Sequence, residues 1–404
     1  MKKISILLLL FSLLCIIACS LKSEQQGNIN PEAYAIFKDS TLTFYYGKGK
    51  PKGAYDVENF VENNFFTYAK EWGSICTQIT TVVFDKSFKE YRPKSCSRWF
   101  MGCGFLDSIK GIKENLNTSE VTDMSNMFFG CAELTNLDVS GFNTDSVTNM
   151  KSMFGICKQL TTLDVSGFNT ENVTNMADMF SICKNLSTLD VSGFNTEKVT
   201  DMRSMFECCE KLTSLDVSGF ITDNVTDMSC MFESCDNLTS LDVSGFNTVN
   251  VNDMSFMFSG CKKMTSLNIK GFHTDIVTEM GCMFAHCENL TTLDVSSFNT
   301  DNVTNMVFMF DGCSDLTSLD VCVFNTNNVT DMRGMFRSCE KLKTIYVGDG
   351  WNTSSVNFSE YLFENCLNLV GGQGTKYDKS HTGLEYAHID GGESNPGYLT
   401  KKTK

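Results

Sequence analysis

Proline is nearly absent, with four in 404 residues, and histidine is as scarce. With 29 Gly and 42% hydrophobic residues beside so little proline, the chain is no low-complexity or collagen-like polymer. It describes a folded chain with ample core. Basic residues are in deficit, 33 Lys and Arg against 48 Asp and Glu, for a formal charge of -15. That balance excludes the basic stripes that neutralise nucleic-acid phosphates. A second long apolar run is missing as well, so the mature chain is expected to lie on a membrane rather than cross it.

The one apolar run sits at the start. Lys2 and Lys3 precede Ile4 to Ile17, interrupted only by Ser5 and Ser12, and Ala18 then precedes Cys19. The run is short for a spanning helix and reads as the core of a signal peptide over residues 1–18. Ile16-Ile17-Ala18-Cys19 resembles a bacterial lipobox, which makes Cys19 the lipidation site; the alternative is ordinary cleavage before an unmodified cysteine. A polar tether follows over 19–30. Ser20 is not the Asp that marks inner-membrane retention in many enteric bacteria. The expected location is therefore the cell envelope, lipid-anchored at the outer membrane and exposed at the surface.

Cysteine is plentiful, and its spacing is the main fact. Of 19, ten fall in one series: Cys131 to Cys339 every 26 residues, then Cys366 after 27. Phe128 to Phe336, Val121 to Val329, Met124 to Met332 and Met127 to Met335 keep the same period. A repeat of this length built on Leu-x-x-Leu-x-Val marks a leucine-rich-type solenoid. Within a unit, Leu163 and Val165 alternate with Thr162, Asp164 and Ser166, the pattern of a short parallel strand. Val173, Met176, Met179, Phe180 and Cys183 then follow at gaps of three, three, one and three, which predicts a short helical segment. The expected fold class is an α/β solenoid with atypical caps at both ends. Residues 31–116 are read as N-terminal cap and degenerate first repeats, 117–366 as the solenoid, and 367–404 as the C-terminal cap.

Each column has a plain reading. The cysteines are expected inside, reduced, as small hydrophobes, because parallel Cβ vectors suit disulfides poorly. The four histidines, His273, His286, His381 and His388, form no column that would make a metal ladder with them. Asn143, Asn169, Asn195, Asn247, Asn299 and Asn325, each followed by Thr, are expected to bond the neighbouring coil's backbone. Outward on the strand stand Asp138, Asp164, Asp190, Asp216, Asp242, Asp294 and Asp320, interrupted by Asn268. Stacked like charges repel. Solvent, neighbouring Ser and Thr hydroxyls, or a cation such as Ca²⁺ would have to offset that. This column is the candidate binding strip. No cofactor is expected beyond Ca²⁺ there, and whether any metal binds stays open.

The repeat Leu-Thr-x-Leu-Asp-Val-Ser-x-Phe-Asn-Thr-x-x-Val-Thr-x-Met-x-x-Met-Phe-x-x-Cys resembles that of the BspA-like leucine-rich repeat surface proteins. The resemblance spans about residues 75 to 398, from Ile79-Thr-Thr-Val-Val-Phe to Asn395-Pro-Gly-Tyr. It implies adhesion to host or microbial surface proteins, with no small-molecule substrate. The alternative is a variable surface antigen, or an envelope structural protein, without a dedicated ligand. Residues shared by every coil are scaffold rather than a unique catalytic site, so no enzyme is expected. Gly371-Gly372-Gln373-Gly374-Thr375 lacks the Lys-Ser/Thr of a phosphate loop. Residues 31 to 74, before the resemblance begins, are the one place left for a catalytic site, and there Phe37 to Gly47 reads instead as a strand and turn that caps the solenoid end.

Overall fold

The structure is a computed structural model and describes residues 30–402, except 59 and 62–68. The chain winds into a solenoid whose coils stack in register, and the columns of the sequence become columns in space.

At the N-terminal end, β1 (Glu32–Lys38) and β2 (Thr41–Gly47) form a hairpin turned by Asp39 and Ser40. Both turn residues have positive φ, 48° and 60°, the twist a tight two-residue hairpin requires. β3 (Tyr55–Asp56) pairs outside β1; β4 (Phe60–Val61) and β5 (Ala69–Lys70) pair with each other. β2 runs parallel to β6 (Thr81–Phe84), and β6 to β7 (Ser108–Lys110). The hairpin thus closes the end of the stack by pairing with its first strand. Behind it, Phe44, Phe84, Phe88, Trp72 and Trp99 pack with ring centroids 4.9 to 6.2 Å apart.

From there each coil repeats. The Leu-x-Val tract is extended, with Leu163 and Val165 buried and Thr162, Asp164 and Ser166 exposed. β8 (Ser240–Asp242) pairs parallel with β9 (Ser266–Asn268), and β10 (Ser318–Val321) with β11 (Thr344–Val347). β12 (Leu399–Lys401) then pairs parallel with β11. The buried Phe column stacks ring on ring, with 5.7 Å between Phe128 and Phe154 and 5.8 Å between Phe154 and Phe180.

The short helical segment expected in each coil is a run of turns instead. Backbone N–H groups alternate between two uses. Met124, Asn126, Phe128 and Gly130 donate to carbonyls of the next coil at 2.8 to 3.0 Å, while Met127, Phe129 and Cys131 donate three residues back. The pattern recurs through the stack. It holds two left-handed residues per coil, such as Ser152 and Ile156 (φ 53° and 62°) or Asp178 and Ile182 (57° and 60°). For a branched side chain this conformation costs about 1–2 kcal/mol. The Ile156 and Ile182 N–H groups each donate to the next coil at 2.7 Å in return. A one-turn helix would gain a single internal bond for its costly nucleus, so the ladder between coils wins. The 3-3-1-3 spacing is that of a turn ladder that buries the same side chains a helix would.

The cysteine column lies inside, 0% exposed from Cys131 to Cys366. Each thiol donates to the Phe carbonyl of the coil before: Cys157 to Phe128 O at 3.2 Å, Cys183 to Phe154 O at 3.2 Å, and so on to Cys366 and Phe336 O at 2.9 Å. All the cysteines of the described residues are free thiols. No helix of the described residues is long and apolar enough to cross a membrane.

Candidate interaction surface

Three faces of the stack carry side chains that could meet a partner. On the strand face, the predicted Asp column is exposed and each member turns back on its own chain. Asp164 Oδ1 accepts from the Ser166 N–H at 3.0 Å and the Ser166 hydroxyl at 2.6 Å. Asp138, Asp190, Asp216 and Asp242 do the same with the serine two residues on. Asp294 accepts from the Ser296 N–H at 3.1 Å, and Asp320 from the Cys322 N–H. These Ser hydroxyls, with the Ser N–H groups second, hold the carboxyls of Asp138, Asp164, Asp190, Asp216, Asp242 and Asp294 below the usual carboxylate range. Like-charge repulsion along the column is a smaller effect. A lysine closes it at each end, Lys113 against Asp138 at 3.4 Å and Lys402 against Asp320. Shallow hollows lined by Thr162, Leu163, Asp164, Thr188, Leu189 and Asp190 lie between the rungs. Among the described residues no group of three or more His, Cys, Asp or Glu is arranged to hold a metal ion.

At the corner, the residue that joins coils is the threonine after the predicted asparagine. Thr118 Oγ1 donates to Asn143 O at 2.9 Å and accepts from the Asn143 N–H at 2.7 Å. Thr144, Thr196, Thr248, Thr274 and Thr300 repeat the donor half, and all are at most 2% exposed. The Asn side chain bonds its own turn and an exposed side chain of the coil before, not that coil's backbone: Asn169 Oδ1 accepts from the Glu171 N–H at 3.1 Å, and its Nδ2 reaches Asp145 of the coil before at 2.9 Å. That explains why Ile221 and His273 can replace it. The hydroxyls of Thr196 and Thr248 use only the backbone of those residues.

The third face was not anticipated from the sequence. The left-handed residues and their neighbours form a third face where the coils differ; Phe256 and His286 are exposed, most of the others half-buried, and Ser152, Ser204 and Gly260 buried. Along one column stand Asn126, Ser152, Asp178, Ser204, Cys230, Phe256, Cys282 and Phe308; along the next, Gly130, Ile156, Ile182, Cys208, Ser234, Gly260 and His286. The middle coils are acidic, and burial raises the carboxyls of Asp178 and Glu233 above their usual range. The later coils are aromatic and cationic. Arg337 lies 4.9 Å over the Phe308 ring and binds the buried Asp311 through two nitrogens at 2.9 and 2.7 Å, with His286 at 3.6 Å. Arg333 lies 5.2 Å over Phe358. Phe256, Phe358 and Tyr361 are 38%, 50% and 54% exposed. The signal was available in two of the positions per unit where the repeats disagree.

At the C-terminal end, the glycines of Gly371-Gly372-Gln373-Gly374-Thr375 make a tight loop around a carboxylate. Asp390 accepts from the N–H groups of Gln373, Thr375 and Gly392 and from the Thr375 hydroxyl, at 2.7 to 3.1 Å. Burial would raise its pKa, yet these donors outweigh it and the carboxyl stays well below the usual range. An internal anion occupies the nest that a phosphate would need. The expected lipidation site Cys19, the signal peptide and most of the tether lie outside the described residues.

These coils define a leucine-rich-type repeat protein. The chain belongs to the family described as "Mycoplasma protein of unknown function, DUF285", whose model matches residues 94–214, 183–289 and 260–371. Among solved structures it is similar to a leucine-rich repeat protein from Eubacterium ventriosum ATCC 27560, with 16% identity, 75% of this chain and 98% of that one covered, and a TM-score of 0.27. It is also similar to the TLR13–ssRNA13 complex, with 13% identity, 74% and 50% covered, and a TM-score of 0.24. Scores this low carry no argument from either molecule. Among curated proteins, nothing matches the chain.

Proposed function

We propose that the protein is a surface-exposed lipoprotein, of the BspA-like kind, that binds other proteins on host or microbial surfaces. Cys19 carries the lipid, the polar tether spaces the solenoid from the outer membrane, and the coils provide the contact. The turn face, whose chemistry changes from coil to coil on an unchanged backbone, is the observation that carries this reading. The buried columns stay constant while this face varies, and a graded series of acids, thiols, aromatics and arginines can tell partners apart. Residues shared by every coil are scaffold rather than a unique catalytic site, so we read the role as binding without catalysis.

The strand strip from Asp138 to Asp320 is the alternative contact surface. In favour of it, Asp164, Asp190, Asp216 and Asp242 each spend one oxygen on their own serine and are exposed. Protease shaving of intact cells, with a periplasmic protein as control, tests the location: loss of the repeats while the control survives is expected, and equal protection would overturn the surface role. Binding of the purified chain to immobilised matrix proteins then separates the faces. Phe256→Ser with Arg333→Ser is expected to weaken it, and Asp164→Asn with Asp190→Asn to leave it. The reverse result would move the contact to the strand strip.

A further inference from the structure

The Asp column ends at Asp320. In register across the last three strands, Asp320 of β10 stands opposite Tyr346 of β11, and Tyr346 opposite Thr400 of β12. An aromatic ring and a hydroxyl thus take the two places that would continue the acids, on the face away from the buried Ile345 and Leu399. The strip also gains a wall at this end. Asp390 holds the loop Gly371 to Gly374 through the Gln373 N–H at 2.7 Å. That loop leans on Thr400, for a Cβ at Gly372 would come within 3.2 Å of Thr400 Cγ2. Ile389, 38% exposed, bridges to Leu399 beside it. Floor and wall enclose a cavity of about 830 Å³, against about 390 and 280 Å³ for hollows between the Asp rungs. This is the size of a small-molecule site, on the order of 300–1,000 Å³.

The lining selects the ligand. Two lysines border the cavity and each already has a carboxylate, Lys402 on Asp320 and Lys401 on Asp349 at 3.0 Å. Their charge is balanced, so an anion would have to break a pair. Ser318, Gln373 and Thr400 add hydroxyl and amide groups. The Thr400 hydroxyl is buried with no partner among the described residues, a polar group that the fold itself leaves unsatisfied. Tyr346 and Ile389 supply apolar surface among these polar groups. A pyranose ring, with C–H groups on its faces and hydroxyls on its rim, matches both kinds of surface. We propose that this cavity binds a neutral sugar, the terminal residue of a glycan chain. Tyr346 lies under one face of the ring, while Ser318, Gln373 and the Asp320–Lys402 pair bond its hydroxyls. Thr400, turning about its Cα–Cβ bond, gives its hydroxyl the partner it lacks. The site lies on the strand face and does not depend on protein binding by the turn face.

The test is saturation-transfer NMR on the purified full chain, with methyl glycosides of glucose, galactose, mannose, fucose and N-acetylglucosamine as probes. At least one is expected to bind saturably. Tyr346→Ala and Gln373→Ala should each weaken it about tenfold, the loss of a central contact. Gln373 is exposed, so its variant separates loss of contact from loss of fold. Thr400→Val replaces an unpaired buried hydroxyl by a methyl, and should weaken binding while melting stays unchanged or rises. Asp164→Asn, on the same strip but far from the cavity, should leave binding as it was. Saturation by none of the five would overturn the proposal. So would binding that survives both Tyr346→Ala and Gln373→Ala, or a sugar signal that inorganic phosphate competes away, which would make this an anion site.

Discussion

Replacing Thr196 by Val tests the account of how coils are joined. The two side chains have nearly the same shape, so packing is conserved while the hydroxyl is lost. That hydroxyl donates to Ile221 O at 2.8 Å and accepts from the Ile221 N–H at 2.7 Å, and Thr196 is 0% exposed. Two backbone groups of the next coil lose their partner at once. At about 1 kcal/mol for each bond, and up to about 2 if the group is left dry, the cost is about 2–4 kcal/mol. The comparison is Asn195→Ala, one residue earlier, whose side chain accepts only from the exposed Glu197 N–H at 2.9 Å. That substitution should cost less than about 1 kcal/mol, as for a local turn bond in water. Urea unfolding followed by circular dichroism, read at the coil that opens first, gives both numbers. Equal losses, or a greater loss for Asn195→Ala, would refute the staple and restore the asparagine to that role.

Three further outcomes are expected. Iodoacetamide applied to the folded protein should modify the half-buried Cys76, whose thiol lies below its usual range, ahead of Cys208, Cys230, Cys282 and Cys322, whose thiols burial raises, and should not reach the fully buried column from Cys131 to Cys366; peptide mapping reads this. Arg337→Leu should destabilise the later coils by about 3 kcal/mol, because Asp311, with its side chain 3% exposed, loses its bidentate partner, and calorimetry would show it. The folded Asp390 carboxyl lies below its unfolded value of about 3.9, so its contribution is present above that pH and fades as acid protonates it. Hydrogen exchange over 371–401 should therefore stay slow from pH 5 to 8 and quicken below pH 4, and Asp390→Asn should exchange fast throughout.

Much of the architecture was legible because a solenoid writes its contacts as a period. Val121, Met124, Met127, Phe128 and Cys131 are all 0% exposed, as their recurrence implied. At the N-terminal end the strand and turn over Phe37 to Gly47 were legible, while β1, which pairs with that strand, was not foreseen. What misled was the spacing from Val173 to Cys183, which suits a helical stripe and a turn ladder equally. The choice between them is made by hydrogen bonds to residues 25 or so away, which no local window contains. The Asn-Thr pair shows the same limit: both residues recur, and only the geometry says that the buried one joins the coils. The Asp column was rightly placed outside, but the serine two residues on, which settles its charge, carries no special weight in a chain so rich in Ser. The variable turn face was missed because attention to a repeat favours what stays constant.

The joints between coils also have a direction. The buried hydroxyls of the Thr118 column reach forward to the next coil, the exposed hydroxyls of the Thr148 column and the thiols reach back to the last one, and Met124-type N–H groups donate forward only. A cut between two coils therefore makes two unlike surfaces, one the complement of the other. An inner fragment cut at both ends would re-associate tip to tail into longer rods and could not pair tip to tip. A piece that keeps one end of the chain has a single open face and can only rejoin its complement, so the sheet at one end and the Asp390 loop at the other act as stoppers.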